Sequence, residues 1–242
     1  MRYKCGLSDA IKILNRRIVS CELCPRLRTY DREVARVKRR AYLDWDYWGK
    51  PVPGFGDPHA RVLLIGLAPG AHGANRTGRM FTGDSSGDFL YRALYETGFA
   101  SQSESRSRED GLELRGAYIA AAARCAPPDN KPLPEELARC RPYLERELDL
   151  LKEVRVVVAL GGLAMRTYLG ILRDRGAIKS LAAFPFGHNR VYRFTSERPG
   201  PGLPVLIASY HPSQQNTSTG KLTAAMLREV FENARELAGC TG

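Results

Sequence analysis

The chain has 242 residues and a formal net charge of +11, and arginine is its commoner cation. A chain of this length can bury a core without disulfides. The charge favours a polyanionic partner, unless it serves only solubility. No apolar run approaches a bilayer span, and residues 1–17 lack the apolar core of a secretory signal. We therefore expect an intracellular, cytoplasmic protein whose six cysteines do not form a disulfide framework.

The amino-terminal part combines a predicted helix, two cysteines and a basic stretch. The helix covers residues 8–18 and leads into Cys21 and Cys24, whose C-x2-C spacing lets two sulfurs reach the same metal or cluster. Residues 26–40 are rich in arginine, and four aromatic residues follow within 42–48. Cations interleaved with aromatics are typical of nucleic-acid surfaces. A solvated helix face packed by its aromatics explains this pattern equally well.

Residues 61–84 are the most informative stretch. An apolar run over 61–67 predicts a strand buried on both faces, as in a parallel sheet. Glycines after it let the backbone approach a ligand closely, which predicts an active-site loop. A long surface loop without chemistry is the alternative, although Met80 and Phe81 argue against disorder. The polar side chains of this loop are His72, Asn75, Arg76, Arg79 and Asp84.

The rest of the chain alternates between predicted helices and strands. Such alternation predicts an α/β fold, a three-layer α/β/α sandwich with a central, mainly parallel four-stranded sheet. We expect one domain over residues 1–242, with an amino-terminal cysteine-containing extension. Pro142 is expected to break the helix that follows Pro134, which would hold Cys140 at a bend. The later elements are a helix over 85–97, a strand over 117–123, a helix from 135, a strand over 154–160, a helix over 163–169, a strand over 203–209 and a helix over 221–237.

Ligands of parallel sheets bind beyond the carboxyl ends of the strands. The loops there carry the 66–84 stretch, a proline-rich segment over 126–134, Gly161-Gly162 and a polar run that begins with His211. We therefore expect these polar groups to line one cleft, with His211 in a functional role.

Four of the cysteines form a full ligand set for one metal centre. Cys125 and Cys140 are the second pair. Structural zinc sites usually show two C-x2-C knuckles, whereas this chain has one such pair, so the spacing favours an iron-sulfur cluster over zinc. Buried free thiols are the remaining alternative.

Together these motifs resemble the uracil-DNA glycosylase superfamily, specifically its iron-sulfur family 5. The glycine-rich loop, the four cysteines, Asn130 within the proline-rich segment and the His211-Pro212-Ser213 motif carry the resemblance, which covers roughly residues 18–238. Family 4 has an acidic residue after its first motif glycine. Leu67 stands there in this chain, which is the family 5 form.

The resemblance implies a monomeric, monofunctional enzyme of base excision repair, with a 4Fe-4S cluster held by Cys21, Cys24, Cys125 and Cys140. It implies His211 as the donor to the departing base, Asp84 as the best candidate to orient water or stabilise the sugar cation, and Asn130 as a contact to base or water. The remaining expected contacts with substrate or base are Gly66, Leu67, Ala68, His72, Asn75, Phe81 and Ala121, with Phe81 stacking on the base; those with DNA are Arg76, Ser213, Gln214, Gln215 and Asn216.

Specificity is expected to be broad. Related enzymes carry a uracil-recognising Asn shortly before the third cysteine, where this chain has Ala121 and its neighbours. We therefore expect excision of hypoxanthine and other deaminated bases besides uracil. One alternative is a non-catalytic iron-sulfur protein that binds DNA. A phosphate-binding or nucleotide-processing enzyme is a weaker alternative, since neither G-x-x-x-x-G-K-[ST] nor a G-x-G-x-x-G after a strand is present.

Overall fold

A computed structural model describes residues 6–194 and 202–240. The strands are β1 (Phe55–Gly56), β2 (Val62–Gly66), β3 (Ala117–Ala121), β4 (Val156–Leu160), β5 (Arg190–Tyr192) and β6 (Val205–Ser209). The helices are α1 (Leu7–Val19), α2 (Pro25–Val37), α3 (Ala74–Thr77), α4 (Ser85–Glu96), α5 (Pro134–Leu150), α6 (Gly162–Asp174), α7 (Gln214–Ser218) and α8 (Ala224–Ala238). Within the described ranges, no helix is long and apolar enough to cross a membrane.

The strands form one sheet in the order β1-β3-β2-β4-β6-β5. The four predicted strands, β3, β2, β4 and β6, pair in parallel at its centre. The α/β class is therefore confirmed, but the sheet has six strands rather than four. The two additional strands, β1 and β5, pair antiparallel at the edges and have only two and three residues. Strands this short show no periodicity that a sequence pattern could detect.

Both faces of the central sheet are covered. Every residue of β2, β3 and β4 is buried, as expected for a parallel sheet between two helical layers. Leu64 and Val158 point to a core shared with α4 and α8, whereas Leu63 and Val157 point to a core shared with α1, α5 and α6. The three-layer arrangement follows from this alternation of side chains along each strand.

The predicted helix break at Pro142 is wrong. Helix α5 runs through Pro142 to Leu150, so Cys140 lies inside a continuous helix. A proline inside a helix removes one hydrogen bond and crowds the carbonyl four residues earlier. The result is either a kink or the end of the helix. Beyond Pro142, Leu144 and Glu147 are fully buried. Packing of this second half against the sheet keeps it helical.

Candidate active site

The predicted loops meet at the carboxyl edge of the parallel strands. Gly66 and Ala121 are neighbours in the register of β2 and β3, and the N–H of Ala122 donates to the carbonyl of Gly66 at 3.0 Å. On the other side, the N–H of Gly161 donates to the carbonyl of Ser209 at 2.8 Å. Hydrogen bonds of the sheet thus extend into the loops and hold them side by side.

Two rings lie over glycines at this edge. The rings of Phe81 and His211 have centroids 5.8 Å apart and an interplanar angle of 33°. A Cβ atom at Gly66 would lie 2.9 Å from the Phe81 ring, and one at Gly161 would lie 3.4 Å from the His211 Cβ. Phe81 itself has φ +53°, a left-handed conformation that costs free energy in a bulky residue and marks a constrained position. Because Gly66 and Gly161 have no side chains, there is room for the two rings at these strand ends.

His211 is held in place and kept uncharged. The side-chain amide of Asn216 donates to the His211 carbonyl at 2.9 Å, which fixes the backbone of the motif. Burial lowers the pKa of His211 from 6.5 to about 4. The imidazole is therefore neutral at neutral pH, and a neutral imidazole has one ring N–H that can donate a hydrogen bond without a positive charge.

Asp84 lies at the junction of the loop and α4. Its Oδ1 accepts from the N–H of Gly87 at 3.0 Å, so the carboxylate is the N-cap of this helix. Its Oδ2 lies over the loop, since a Cβ atom at Gly73 would come within 1.9 Å of this oxygen and one at Gly70 within 2.9 Å. Burial raises the pKa of Asp84, although the hydrogen bond from Gly87 opposes the rise. The residue has a structural role, and its second oxygen is directed toward the glycine-rich loop.

The four cysteines line one cavity away from these rings. The cavity is bounded by Cys21 and Cys24 from the turn before α2, by Cys125 after β3 and by Cys140 of α5. Burial raises the pKa of the Cys125 thiol, and that of Cys140 to about 11. Over residues 6–194 and 202–240, no set of three or more His, Cys, Asp or Glu side chains is arranged to hold a single metal ion. The donor set fits a larger sulfur-ligated group, because four thiols from three segments surround one common space.

Comparison with known proteins decides the family. A family model described as the uracil DNA glycosylase superfamily matches residues 53–235. The chain belongs to the uracil-DNA glycosylase superfamily. It is 53% identical over 222 residues to a type-5 uracil-DNA glycosylase of Thermus thermophilus, covering 92% of this chain and 95% of that protein. It is 47% identical to type-5 uracil-DNA glycosylases of Mycobacterium leprae, covering 97% of this chain and 98% of that protein, and of Pyrobaculum aerophilum, covering 93% and 92%.

The resemblance to family 5 is thereby confirmed, and the structure places several of the predicted site residues in contacts within the protein. Asn75 is completely buried, and its side-chain amide donates to the carbonyls of Asp31 and Ala71 at 3.4 Å each. It therefore holds α2 and the glycine-rich loop together and presents no surface to solvent. His72 is partly exposed, and its Nδ1 lies 3.1 Å from the Tyr47 hydroxyl, while burial lowers its pKa.

Arg76, a predicted DNA contact, is enclosed by protein groups in this structure. Only 3% of the side chain is exposed, and its guanidinium lies 3.9 Å from the ring centroid of Tyr42 and 4.1 Å from that of Trp45. It donates to the carbonyls of His72 at 2.7 Å and Gly83 at 2.6 Å. The aromatic residues that follow the basic stretch thus enclose an arginine of the loop, where cation–π contacts hold it.

Most of the basic helix has carboxylate partners. In α2, Arg28 pairs with Asp31, Arg32 with Glu22 and Arg36 with Glu33. Arg26 pairs with Glu136 of α5 at 2.8 Å. This pairing favours the interpretation of residues 26–40 as a solvated helix face rather than a phosphate-binding surface.

The remaining predicted residues divide by exposure. Ala121 is 1% exposed and belongs to the core against which Phe81 packs, so it presents almost no surface to a base in this structure. Asn130 is exposed with φ +57°, which asparagine tolerates. Ser213 is the N-cap of the short helix α7 and Asn216 holds His211, whereas Gln214 and Gln215 are exposed. Leu67 and Ala68 are partly exposed at the end of β2.

Proposed function

We propose that the protein is a monofunctional DNA glycosylase that excises uracil, and other deaminated bases such as hypoxanthine, and leaves an abasic site for base excision repair. The observation that carries this proposal is the pairing of a neutral, half-buried His211 with the Phe81 ring at the carboxyl edge of the sheet. The relatives named as type-5 uracil-DNA glycosylases, which cover almost the whole chain, support the same activity.

The proposed mechanism begins with a flipped nucleotide. A base outside the DNA stack packs against Phe81, which offsets part of the unstacking energy. As the N-glycosidic bond breaks, the sugar gains positive charge and the departing base gains negative charge. His211 donates a hydrogen bond to the developing oxyanion, and a neutral donor does this without being deprotonated. The second oxygen of Asp84 orients the attacking water or stabilises the sugar cation. Gln214 and Gln215 fill the gap left in the duplex.

Direct excision assays test the proposal. Duplexes with one uracil or one hypoxanthine are incubated with the purified protein and then treated with alkali, which cleaves the strand at an abasic site. Scission at both modified bases is expected, with an unmodified duplex as the control. Tight binding without scission would favour the non-catalytic alternative, and scission at uracil alone would contradict the broad specificity.

Specificity has to be tested by substrates rather than by an Ala121→Asn variant. An amide at residue 121 would be buried in an apolar core, which costs free energy whatever its effect on uracil. The hypothesis of broad specificity rests on the sequence at this point of β3, where Ala121 carries no side-chain amide that could pair with uracil.

The pH dependence of the reaction should reveal the state of His211. The unfolded imidazole titrates near 6.5 and the folded one near 4, so the unfolded chain binds more protons between these values. The neutral His211 therefore makes its full contribution to the free energy of unfolding above pH 6.5. This contribution is lost as the pH falls from 6.5 toward 4. We expect a single-turnover excision rate without an inflection near pH 6.5 and a decline only in more acid solution. An inflection near 6.5 that disappears in His211→Ala would contradict a neutral donor.

We also propose that Cys21, Cys24, Cys125 and Cys140 hold a 4Fe-4S cluster. Such a cluster supplies a covalent cross-link between the amino-terminal segment and the middle of the chain, and no step of the reaction involves it. The common cavity and the fourfold thiol set support this assignment.

Replacement of one ligand tests the cluster. Cys125→Ser is expected to lose iron and acid-labile sulfide and to lower the melting temperature, because a serine hydroxyl is a poor ligand for iron in such clusters. Cys240→Ser is the matched control, since Cys240 lies outside this cavity and should leave the metal content unchanged. Zinc instead of iron in the wild-type protein would contradict the assignment.

A further inference from the structure

A buried arginine lies beside the four cysteines. Arg124 directly precedes Cys125, is 1% exposed and lines the same cavity. Its Nη2 donates to Oε2 of Glu147, which is itself completely buried. Glu147 and Cys140 are seven residues apart in α5, two helical turns, and so share one face of that helix. The ion pair and two cysteine ligands are therefore carried by the same two segments.

Two donors of this arginine have no acceptor. Its Nε and Nη1 are buried and make no hydrogen bond to any residue that the structure describes. Buried donors without acceptors are rare in native proteins, because their desolvation is not compensated. The main chain holds the residue in place, since the carbonyl of Arg124 accepts from the N–H of Val52 at 2.7 Å.

A second arginine of the cavity is placed differently. Arg28 lines the cavity and is 3% exposed, but it has two carboxylates near it, Asp31 at 2.9 Å and Glu22 at 3.5 Å. Its Nη2 also donates to the carbonyl of Gly49 at 3.1 Å. A third arginine of the cavity, Arg139, is exposed. Of the two buried guanidinium groups, that of Arg124 has the single carboxylate partner and the greater number of nitrogen atoms without an acceptor.

We propose that Arg124 is a positioning residue for the iron-sulfur cluster, to whose sulfur atoms its unused N–H groups donate hydrogen bonds. The inference rests on the proposed function of the four cysteines. Four thiolates around an iron-sulfur core leave it negatively charged, and N–H donors with a positive charge stabilise that state. Arg124 thus raises the reduction potential of the cluster and slows the loss of iron.

The Arg124→Lys variant tests this role. Lysine keeps the positive charge next to Glu147, but its single nitrogen replaces the guanidinium fork and its two unused donors. The readouts do not include excision activity. They are the reduction potential of the cluster and the rate at which the variant loses iron to a chelator. The potential should become more negative, and iron should be lost roughly ten-fold faster.

A matched control separates this role from general stability. Arg79 is also 3% exposed, but its donors are used by Asp110 at 2.7 and 2.8 Å, Thr82 at 2.9 Å and Ser105 at 2.9 Å. It does not line the cysteine cavity. Arg79→Lys should lower the stability while leaving the potential and the rate of iron loss unchanged.

A double variant covers the case in which Arg124→Lys does not fold. Arg124→Gln with Glu147→Gln removes both buried charges together and avoids an unpaired carboxylate. A folded variant of either kind with the potential and iron-loss rate of the wild type would overturn the inference. Absence of iron and sulfide from the wild-type protein would instead overturn the cofactor proposal, so the two failures are distinguishable.

Discussion

His211→Ala is expected to slow base excision about 100- to 1000-fold in single turnovers, with little change in DNA affinity. The proposed donor acts on charge that develops only in the transition state, and removal of one such donor typically costs about 3 to 4 kcal/mol. The imidazole faces the Phe81 ring at 5.8 Å and has room over Gly161. The measurement is the excision rate at saturating enzyme on a duplex with one uracil.

His59→Ala is the matched control for that variant. His59 is exposed, pairs with Glu153 at 2.6 Å and lies before β2, at the opposite edge of the sheet. Its removal should leave the excision rate unchanged. If His211→Ala excised uracil as fast as the wild type, His211 would have no part in stabilising the departing base.

Asp84→Asn is expected to slow excision about 100-fold or more while the protein keeps its stability. Asn and Asp are about equally good N-caps, so the hydrogen bond from Gly87 and the start of α4 are retained. The variant removes only the negative charge that is proposed to act on the water or the sugar cation. Asp84→Ala should lose about 1 kcal/mol of stability as well, because it removes the cap. The pair of variants thus separates the two roles of this carboxylate.

Gly73→Ala tests the same carboxylate from the other side. Its added Cβ atom would come within 1.9 Å of the Asp84 Oδ2, so the carboxylate or the loop must move. Excision should fall as it does in Asp84→Asn. Gly170→Ala is the control, since nothing lies within 4 Å of its Cβ position and the residue is inside α6. A Gly73→Ala enzyme with full activity would show that Asp84 acts only as a cap.

The central part of the fold could be predicted from local patterns. Each parallel strand is a short apolar run with turn residues at its ends, and burial on both faces leaves no polar position that would obscure it. The edge strands β1 and β5 could not be predicted, because their pairing depends on the neighbouring strand rather than on their own few residues. Pro142 was misleading because tertiary packing of α5 outweighs the local cost of one lost hydrogen bond.

Only part of the candidate site could be predicted from the sequence. The positions of Phe81, Asp84 and His211 at one edge follow from strand order alone, since all parallel strands end on the same side of the sheet. The burial of Asn75 and Arg76 does not follow, because a polar loop residue can turn to solvent or into the protein with the same local sequence. Contacts with α2 and with Tyr42 and Trp45, distant in sequence, decide that choice.

The sequence by itself determined the fold class, the family and which four of the six cysteines belong together, because these depend on residue types and their order. Only the tertiary structure decided which polar groups face the cleft and which are internal supports. It also brought Arg124, which pairs with the buried Glu147, to the cysteine cavity. Burial, partner and charge state are properties of a side chain's surroundings, and those surroundings exist only when distant segments pack together.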